Sequence, residues 1–292
     1  MSILKTLNEL ELANNSVLFH KGTRDNSNID VYRDLNSGVI YIKDYFVGEE
    51  EYSEGEYRKE VAKKANYDFS VKDFMRVNDC ARRVKENSPF YIGKDITDFG
   101  CGYGDFLKET KEFTKSSVGI ELQIDCIKEL NNFGIRCENS LDMLKNNSID
   151  TFFLFHSFEH LPEPLKILKE IKCKLRKNGK LIIEVPHAND FLISTIKDEN
   201  FINFTLWSQH LILHTKNSLN KFLDYAGFQN ILIKGIQRYP LSNHLHWIIN
   251  KKPGGHQSQF AFIDTNDLTK AYEQTLANLD STDTLLAIAE IN

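Results

Sequence analysis

The 292-residue chain has little of what staples or stiffens a small fold: five cysteines, six prolines and two tryptophans. Cys80, Cys101, Cys126, Cys137 and Cys173 are odd in number and nowhere spaced as CxxC. That excludes a zinc knuckle or a disulfide framework and suits a reducing cytoplasm. Positive charge is not in excess, with 36 Lys and Arg against 41 Asp and Glu for a net charge of −5. No overall basic field is available to gather nucleic acid. No apolar run approaches the roughly 18 residues of a membrane span, and "MSILKTLNELELANN" has no basic start followed by an apolar core. The expectation is a cytoplasmic protein with no membrane partner and no nucleic-acid partner.

What is present is alternation. "SVLFH" and "GVIYIKDYF" read as short antiparallel strands, and Glu49 to Glu86 as two helices closed by "SPF". After Gly93 short apolar runs alternate with amphipathic stretches: "DITDFG", "SVGIEL", "IRCE", "IDTFFLFHS", "KLIIEVP", and later "NILIKGIQ" and "HWIIN". Such alternation implies an α/β fold, a doubly wound, mostly parallel sheet of Rossmann-like type. Helices are expected over Asp105–Phe113, Gln123–Phe133, Glu163–Arg176 and Lys216–Ala226, with "KNG" and "YAGF" supplying a left-handed glycine stop for the last two. Asp267 to Ile291 reads as one final amphipathic helix whose apolar stripe offers a contact for a homodimer. Three units follow: an N-terminal appendage over 1–90, a ligand-binding domain over 91–252, and a C-terminal loop and helix over 253–292, the last acting as a lid.

The stretch "DFGCGYG" leaves the first strand of the sheet, where glycines allow a tight turn and close approach to a ligand. Its spacing is GxGxG, through Gly100, Gly102 and Gly104, not the GxGxxG of dinucleotide sites. Asp105 would set a negative charge against a pyrophosphate at the following helix start. A nucleoside without phosphates suits the loop better. Glu121 closes the second strand 21 residues after Gly100, placed to accept both hydroxyls of a ribose.

With these motifs in order, followed by "GIEL", "IDTFFLFHSFEHLPEP", "LRKNGKLIIEVP" and "YAGF", the stretch from about Asp95 to Phe228 resembles the class I S-adenosylmethionine-dependent methyltransferases. The resemblance implies S-adenosylmethionine lying across the strand ends. It implies Asp98, Gly100, Gly102 and Gly104 at the methionine end, Glu121 on the ribose and Leu122 over the adenine. Ser140 and Leu141 stand where such enzymes often place an acid for the adenine amino group. His156 would border the methyl group mainly through its backbone, and Asp105 or Tyr52–Arg58 would meet the amino-acid part.

The histidines number nine and are unevenly placed. "NFTLWSQHLILHTKNSLNKFLDYAGF" is similar to the segment after the fifth strand in methyltransferases acting on sugars, where a Glu-His pair follows an aromatic residue. Here Gln209 replaces the glutamate and His210 keeps the histidine. The resemblance implies His210 as general base, with His214 beside it and Trp207 and Gln209 lining the acceptor pocket. His210 and His214 also have metal-ligand spacing, but no third ligand is evident at a persuasive distance in sequence, so no metal is expected. "NHLHWIINKKPGGH" resembles a segment of bacterial methyltransferases associated with surface polysaccharides. It implies a carbohydrate substrate, with Asn243, His244 and His256 in its pocket and "KKPGG" as a seat for phosphates. His20, His160 and His187 are read as structural. The expected activity is O-methylation of a sugar hydroxyl on a nucleotide-linked or phosphorylated carbohydrate for surface glycan synthesis. C- or N-methylation of a deoxysugar or other small acceptor stays open, as does a noncatalytic cofactor-binding or scaffold role. The absence of an (N/D)PP(Y/F) segment counts against base amino methylation.

Overall fold

Residues such as Ile149–Phe155, "IDTFFLF", are apolar on both sides of the chain, the pattern of a strand buried on both faces. The computed structural model describes residues 3–43, 45, 48 and 69–292 and places this strand at the centre of a seven-stranded sheet. The strands of the described residues are β1 (Ser16–His20), β2 (Val31–Asp34), β3 (Ile40–Ile42), β4 (Asp95–Phe99), β5 (Ser116–Ile120), β6 (Arg136–Glu138), β7 (Ile149–Phe155), β8 (Leu175–Pro186), β9 (Ile212–Leu213), β10 (Gln229–Ile236) and β11 (Thr284–Glu290). The central order is β10-β11-β8-β7-β4-β5-β6, and every pair is parallel except those made by β11. From β4 the chain moves outward through β5 and β6, then returns to lay β7 on the other side of β4. That reversal opens a crevice at the carboxyl ends of β4 and β7, where ligands of such sheets bind.

Among the described residues the helices are α1 (Ile3–Glu9), α2 (Phe69–Glu86), α3 (Ser88–Tyr91), α4 (Asp105–Thr110), α5 (Ile124–Asn132), α6 (Pro164–Lys174), α7 (Phe191–Ser194), α8 (Glu199–Thr205), α9 (Lys216–Tyr225), α10 (Leu241–Asn250) and α11 (Asn266–Asn278). Successive strand residues point to opposite faces, so β7 feeds two cores. Phe152 and Leu154 pack with Leu165, Leu168 and Ile171 of α6 and with Leu219 and Phe222 of α9. Phe153 and Phe155 pack with Phe106 and Leu107 of α4 and Leu130 of α5. The Phe106 ring lies 4.9 Å from that of Phe153 and 5.1 Å from that of Phe155.

Several elements differ from the sequence expectation. The final segment is a helix only to Asn278; "TLLAIAE" is β11, inserted antiparallel between β8 and β10. Buried on both faces, β11 carries a continuous apolar run that periodicity does not separate from a helix stripe. "HWIIN" belongs to α10, not to a strand, and Lys251 closes that helix in the left-handed region at φ 57°. "SPF" opens the short helix α3 with its proline in the first turn. After α6 the left-handed residue is Asn178, at φ 62°, while Gly227 does hold the αL stop after α9 at φ 82°.

The N-terminal strands form a second sheet, β1-β2-β3-β9, whose last member comes from the segment just after His210. Ile40 pairs with Leu213 and Tyr41 with Ile212. Asp25 clamps the same segment from the front, accepting from Ser208 N at 3.0 Å. The expected appendage therefore fixes the stretch that carries Trp207, Gln209 and His210. Among the described residues no helix is long and apolar enough to cross a membrane. Val61 and Ala65 of the first expected helix and the Tyr52–Arg58 stretch lie outside the described residues.

Candidate active site

The loop after β4 is built from left-handed backbone: Gly100, Gly102 and Gly104 have φ of 74°, 56° and 70°. A Cβ on Gly100 would stand 2.6 Å from the Ser157 Cβ, and one on Gly104 would stand 2.3 Å from Leu130 Cδ2. The first contact locks the loop to the end of β7, where Ser157 Oγ donates to the Phe99 carbonyl at 2.9 Å. The second seats the start of α4 on α5. Glycine is required here by both φ and space.

Glu121 is buried at the end of β5 and draws the loop together. Its carboxylate accepts from Gly102 N at 2.7 Å, Leu122 N at 2.7 Å and Gln123 N at 3.1 Å. Leu122 beside it is 38 % exposed, an apolar side chain open to a ring. Ser140 caps the short 3-10 turn after β6, its Oγ accepting from Asp142 N at 3.2 Å, and Leu141 is buried behind it. Asp98 is buried at the carboxyl end of β4, and burial pushes its pKa up to about 8, with Arg83 opposing and Glu121 reinforcing the rise. A neutral acid at that place ionises when a ligand brings a cation to it. The bare loop, a carboxylate at the end of the second strand and Asp98 fit an adenosyl ligand carrying an amino-acid cation. Asp105 is tied to Arg76, Nε to Oδ2 at 2.8 Å.

Across the crevice the side chains carry charge. Glu184 on β8 is wholly buried and accepts from Arg82 NH1 and NH2, each at 2.9 Å, and from Arg83 Nε at 3.0 Å. Burial alone would raise the Glu184 pKa, but Arg83 and Arg82 more than reverse this and hold it low. Arg238, just past β10, is bound in bidentate fashion by Asp79 of α2; burial works against its charge and Asp79 restores it, raising its pKa. These pairs fasten α2 over the strand ends. None of the five residues drew notice in the sequence, because they come from α2, β8 and the end of β10, far apart in the chain.

His156 ends β7 in the left-handed region at φ 52°, a conformation that favours glycine. Its Nε2 accepts from Arg238 NH1 at 3.0 Å, which puts its own proton on Nδ1, 3.3 Å from Glu159 Oε1. His156 thus takes part through its ring as well as its backbone. Burial, then Arg238, keeps its pKa well below the usual imidazole range.

Glu159 is fully buried, and burial pushes its pKa up to about 8. His160, read from sequence as structural, turns its ring to His210 with centroids 5.1 Å apart, and Trp207 stands edge-on to both. Burial, followed by His160 and Arg24, drives the His210 pKa well below its usual value. That weakens His210 as a proton acceptor, although its neutral ring keeps a lone pair. Gln209 is buried beside it and offers its carbonyl to His160 Nδ1 at 2.7 Å. The Glu-His step in "FEHLPEP" was the available sequence signal for this cluster.

Other expected site residues lie elsewhere. His214 sits in the core with no exposed surface, stacked on Phe158 at 5.5 Å, its Nδ1 against Ser218 Oγ at 3.0 Å. Burial lowers its pKa to about 3, and an acceptor has no way to reach it. His214 does not join His210, because the strand pairing of Ile212 and Leu213 replaces the helical spacing that would align them. Asn243 accepts from Gly255 N at 3.3 Å and holds the turn after α10. His244 is packed between Phe191 and Tyr272, its Nδ1 2.6 Å from the Tyr272 hydroxyl, and His256 is half-buried in that turn. Lys251, expected to seat phosphate, is bound to Asp198 at 2.7 Å.

A family described as a methyltransferase domain matches residues 72–233, more than half of the chain. The tRNA U34 carboxymethyltransferase of Alteromonas mediterranea is 24 % identical over 65 % of this chain and 60 % of its own length. The ubiquinone biosynthesis O-methyltransferase of Coxiella burnetii is 21 % identical over 59 % of this chain and 80 % of its own. For a further curated relative the match spans only 49 % of that protein, so the chain spans about half to four fifths of the length of these curated relatives. A SAM dependent methyltransferase of Archaeoglobus fulgidus shares the fold, with a TM-score of 0.51 at 20 % identity over 72 % of this chain and 91 % of that one. The sheet order, the glycine loop with its carboxylate and the family match together place the chain in the methyltransferase-domain family.

Proposed function

We propose that the chain transfers the methyl group of S-adenosylmethionine to a hydroxyl of a carbohydrate seated over His210 and Trp207. The carrying observation is the junction of two unlike surfaces at the ends of β4 and β7. The glycine loop and Glu121 meet, through the Gly100–Ser157 contact, the Glu159–His160–His210 cluster. The donor supplies a methyl carbon on a positive sulfur; the new C–O bond forms as C–S breaks, the pair goes to sulfur, and the hydroxyl proton passes to water. What the chain contributes is placement, which accounts for most of the acceleration available to an in-line displacement. The neutral His210 ring accepts a hydrogen bond from the hydroxyl and points its oxygen at the methyl carbon. The Trp207 ring, held by Arg24 at 5.5 Å, gives an apolar face of the kind a sugar ring covers. In the expected phosphate seat "KKPGG", Lys251 is paired with Asp198.

The test incubates the protein with methyl-labelled donor and, separately, free and nucleotide-linked sugars, a quinol and tRNA. Label recovered as a sugar methyl ether is the expected result; label only in the quinol or the RNA overturns the acceptor class. His210→Asn is expected to lower kcat by about 100-fold or more while S-adenosylhomocysteine affinity stays within a few-fold. An unchanged kcat would remove His210 from the acceptor site.

A further inference from the structure

We infer that Glu159, His160 and His210 form a binding site for one divalent transition-metal ion. One ligand atom from each lies within 4.8 Å of the other two. Ligands about 2.1 Å from a tetrahedral ion stand roughly 3.4 Å apart, so a small contraction closes the site. Within it His160 Nε2 is 3.9 Å from Glu159 Oε1.

Each group already shows the face that a metal needs. His160 donates its Nδ1 proton to the Gln209 carbonyl at 2.7 Å, which fixes the tautomer and leaves the Nε2 lone pair toward Glu159. A carbonyl on the far nitrogen is the usual support of a metal-bound histidine. The backbone of Thr205 stands near the His210 ring, whose Nδ1 is buried with no hydrogen-bond partner among the described residues. The Glu159 carboxylate is only 1 % exposed, with its own backbone N–H and His156 Nδ1, 3.3 Å away, beside it. A buried polar atom without a partner, as at His210 Nδ1, is costly in a folded protein and calls for a ligand. One cation would answer that nitrogen and give the buried carboxylate a counter-charge.

Behind the carboxylate, Arg238 donates to His156, whose Nδ1 proton faces Glu159 Oε1, an outer shell that orients the ligand oxygen. Two imidazoles and one carboxylate suit Zn²⁺ and its first-row neighbours, whereas Mg²⁺ and Ca²⁺ favour oxygen alone. Three protein ligands leave one position open on the side proposed above for the acceptor. The catalytic part of the inference rests on that reading: with the ion bound, His210 serves as its ligand, and the ion would take over from the ring the hold on the hydroxyl, lower its pKa and let its proton pass to water. The binding part rests on the cluster geometry alone.

Zn²⁺ itself is the probe. Protein equilibrated with Zn²⁺ and then passed through gel filtration is expected to retain one equivalent by elemental analysis, and Co²⁺ in its place should give visible d–d bands. Glu159→Gln, His160→Asn and His210→Asn are each expected to weaken Zn²⁺ binding by roughly 10- to 100-fold or more. The melting shift with S-adenosylhomocysteine in the same variants reports whether fold and donor end are intact. No retained metal, or retention that all three folded variants leave unchanged, overturns the inference. Metal bound at these residues without methyl transfer to any sugar sinks the acceptor reading alone, and full transfer by zinc-free protein in chelator sinks the catalytic part of the metal inference.

Discussion

Asp95 and Asp98 stand three residues apart on β4, and the fold treats them oppositely. Asp95 opens the strand at the far edge of the sheet. There it accepts from Ser116 Oγ at 2.7 Å, Lys115 Nζ at 2.9 Å and Arg176 NH1 at 2.7 Å. Against the effect of burial, those partners hold its pKa down to about 2. Asp98 lies at the site edge, where burial raises its pKa to about 8, as it does for Glu159. The difference lies in where the cations are spent. At the far edge lysine and arginine reach in from water to an ionised carboxylate. At the site edge Arg82, Arg83 and Arg238 are committed to Glu184 and Asp79, so the remaining acids stay neutral until a ligand arrives. One edge holds the fold together and the other keeps polarity in reserve for binding.

The comparison breaks most forcefully at Glu184. Glu184→Ala strips Arg83 of its carboxylate partner and leaves Arg82 with only the looser pairs to Asp79 at 3.6 Å and Glu86 at 3.7 Å, and removal of one partner of a buried pair costs about 3–5 kcal/mol. Urea unfolding should show that loss, with α2 exchanging its amide protons faster than the sheet. Arg176→Ala at the far edge, where the side chain is 36 % exposed, should cost about 1 kcal/mol or less. Equal losses at the two edges would remove the distinction.

A smaller and more diagnostic effect is expected at Asp98. Its folded pKa of about 8 exceeds the roughly 3.9 of an unfolded aspartate, so the native state holds a proton that the unfolded chain gives up. Stability then falls as pH rises from about 4 to about 8. Asp98→Asn should remove this share, stabilise the apo protein by roughly 2 kcal/mol near pH 8, and weaken S-adenosylhomocysteine binding at least tenfold. Melting curves across pH 5–8 check the first part and calorimetry the second. Destabilisation at pH 8 together with unchanged binding would mean that Asp98 is structural.

The donor end was legible in the sequence because backbone makes it. A glycine loop, an acid 21 residues later and alternating strands are local signals, and Gly100, Gly102, Gly104 and Glu121 stand together as the order of motifs implied. The end proposed for the acceptor is made by side chains from segments far apart in the chain: Arg24, Asp79, His156 to His160, Glu184, His210 and Arg238. No periodicity links such positions. His214 misled because spacing of four residues suggests a shared helix face, whereas Ile212 and Leu213 are recruited as a strand by Tyr41 and Ile40. β11 misled because a strand buried between two others has no polar face to reveal its period.

The smallest expected effect tests the far edge, and its sign is the reverse of that at Asp98. A carboxylate whose folded pKa is about 2, against roughly 3.9 unfolded, contributes stability that is whole above about pH 4 and is lost as pH falls toward 2. Lys115 is 65 % exposed and Arg176 36 %, so water screens the pairs and the contribution is discounted to about 1 kcal/mol. Asp95→Asn should therefore lower stability at pH 7 by about that amount and shallow the acid limb between pH 4 and 2 without changing S-adenosylhomocysteine affinity. Other ionised carboxylates, such as Glu184 and Asp79, sustain the rest of that limb. A variant with an unaltered acid limb would show that the ionised form of Asp95 adds nothing to stability, and the contrast along β4 would then rest on burial at a single end.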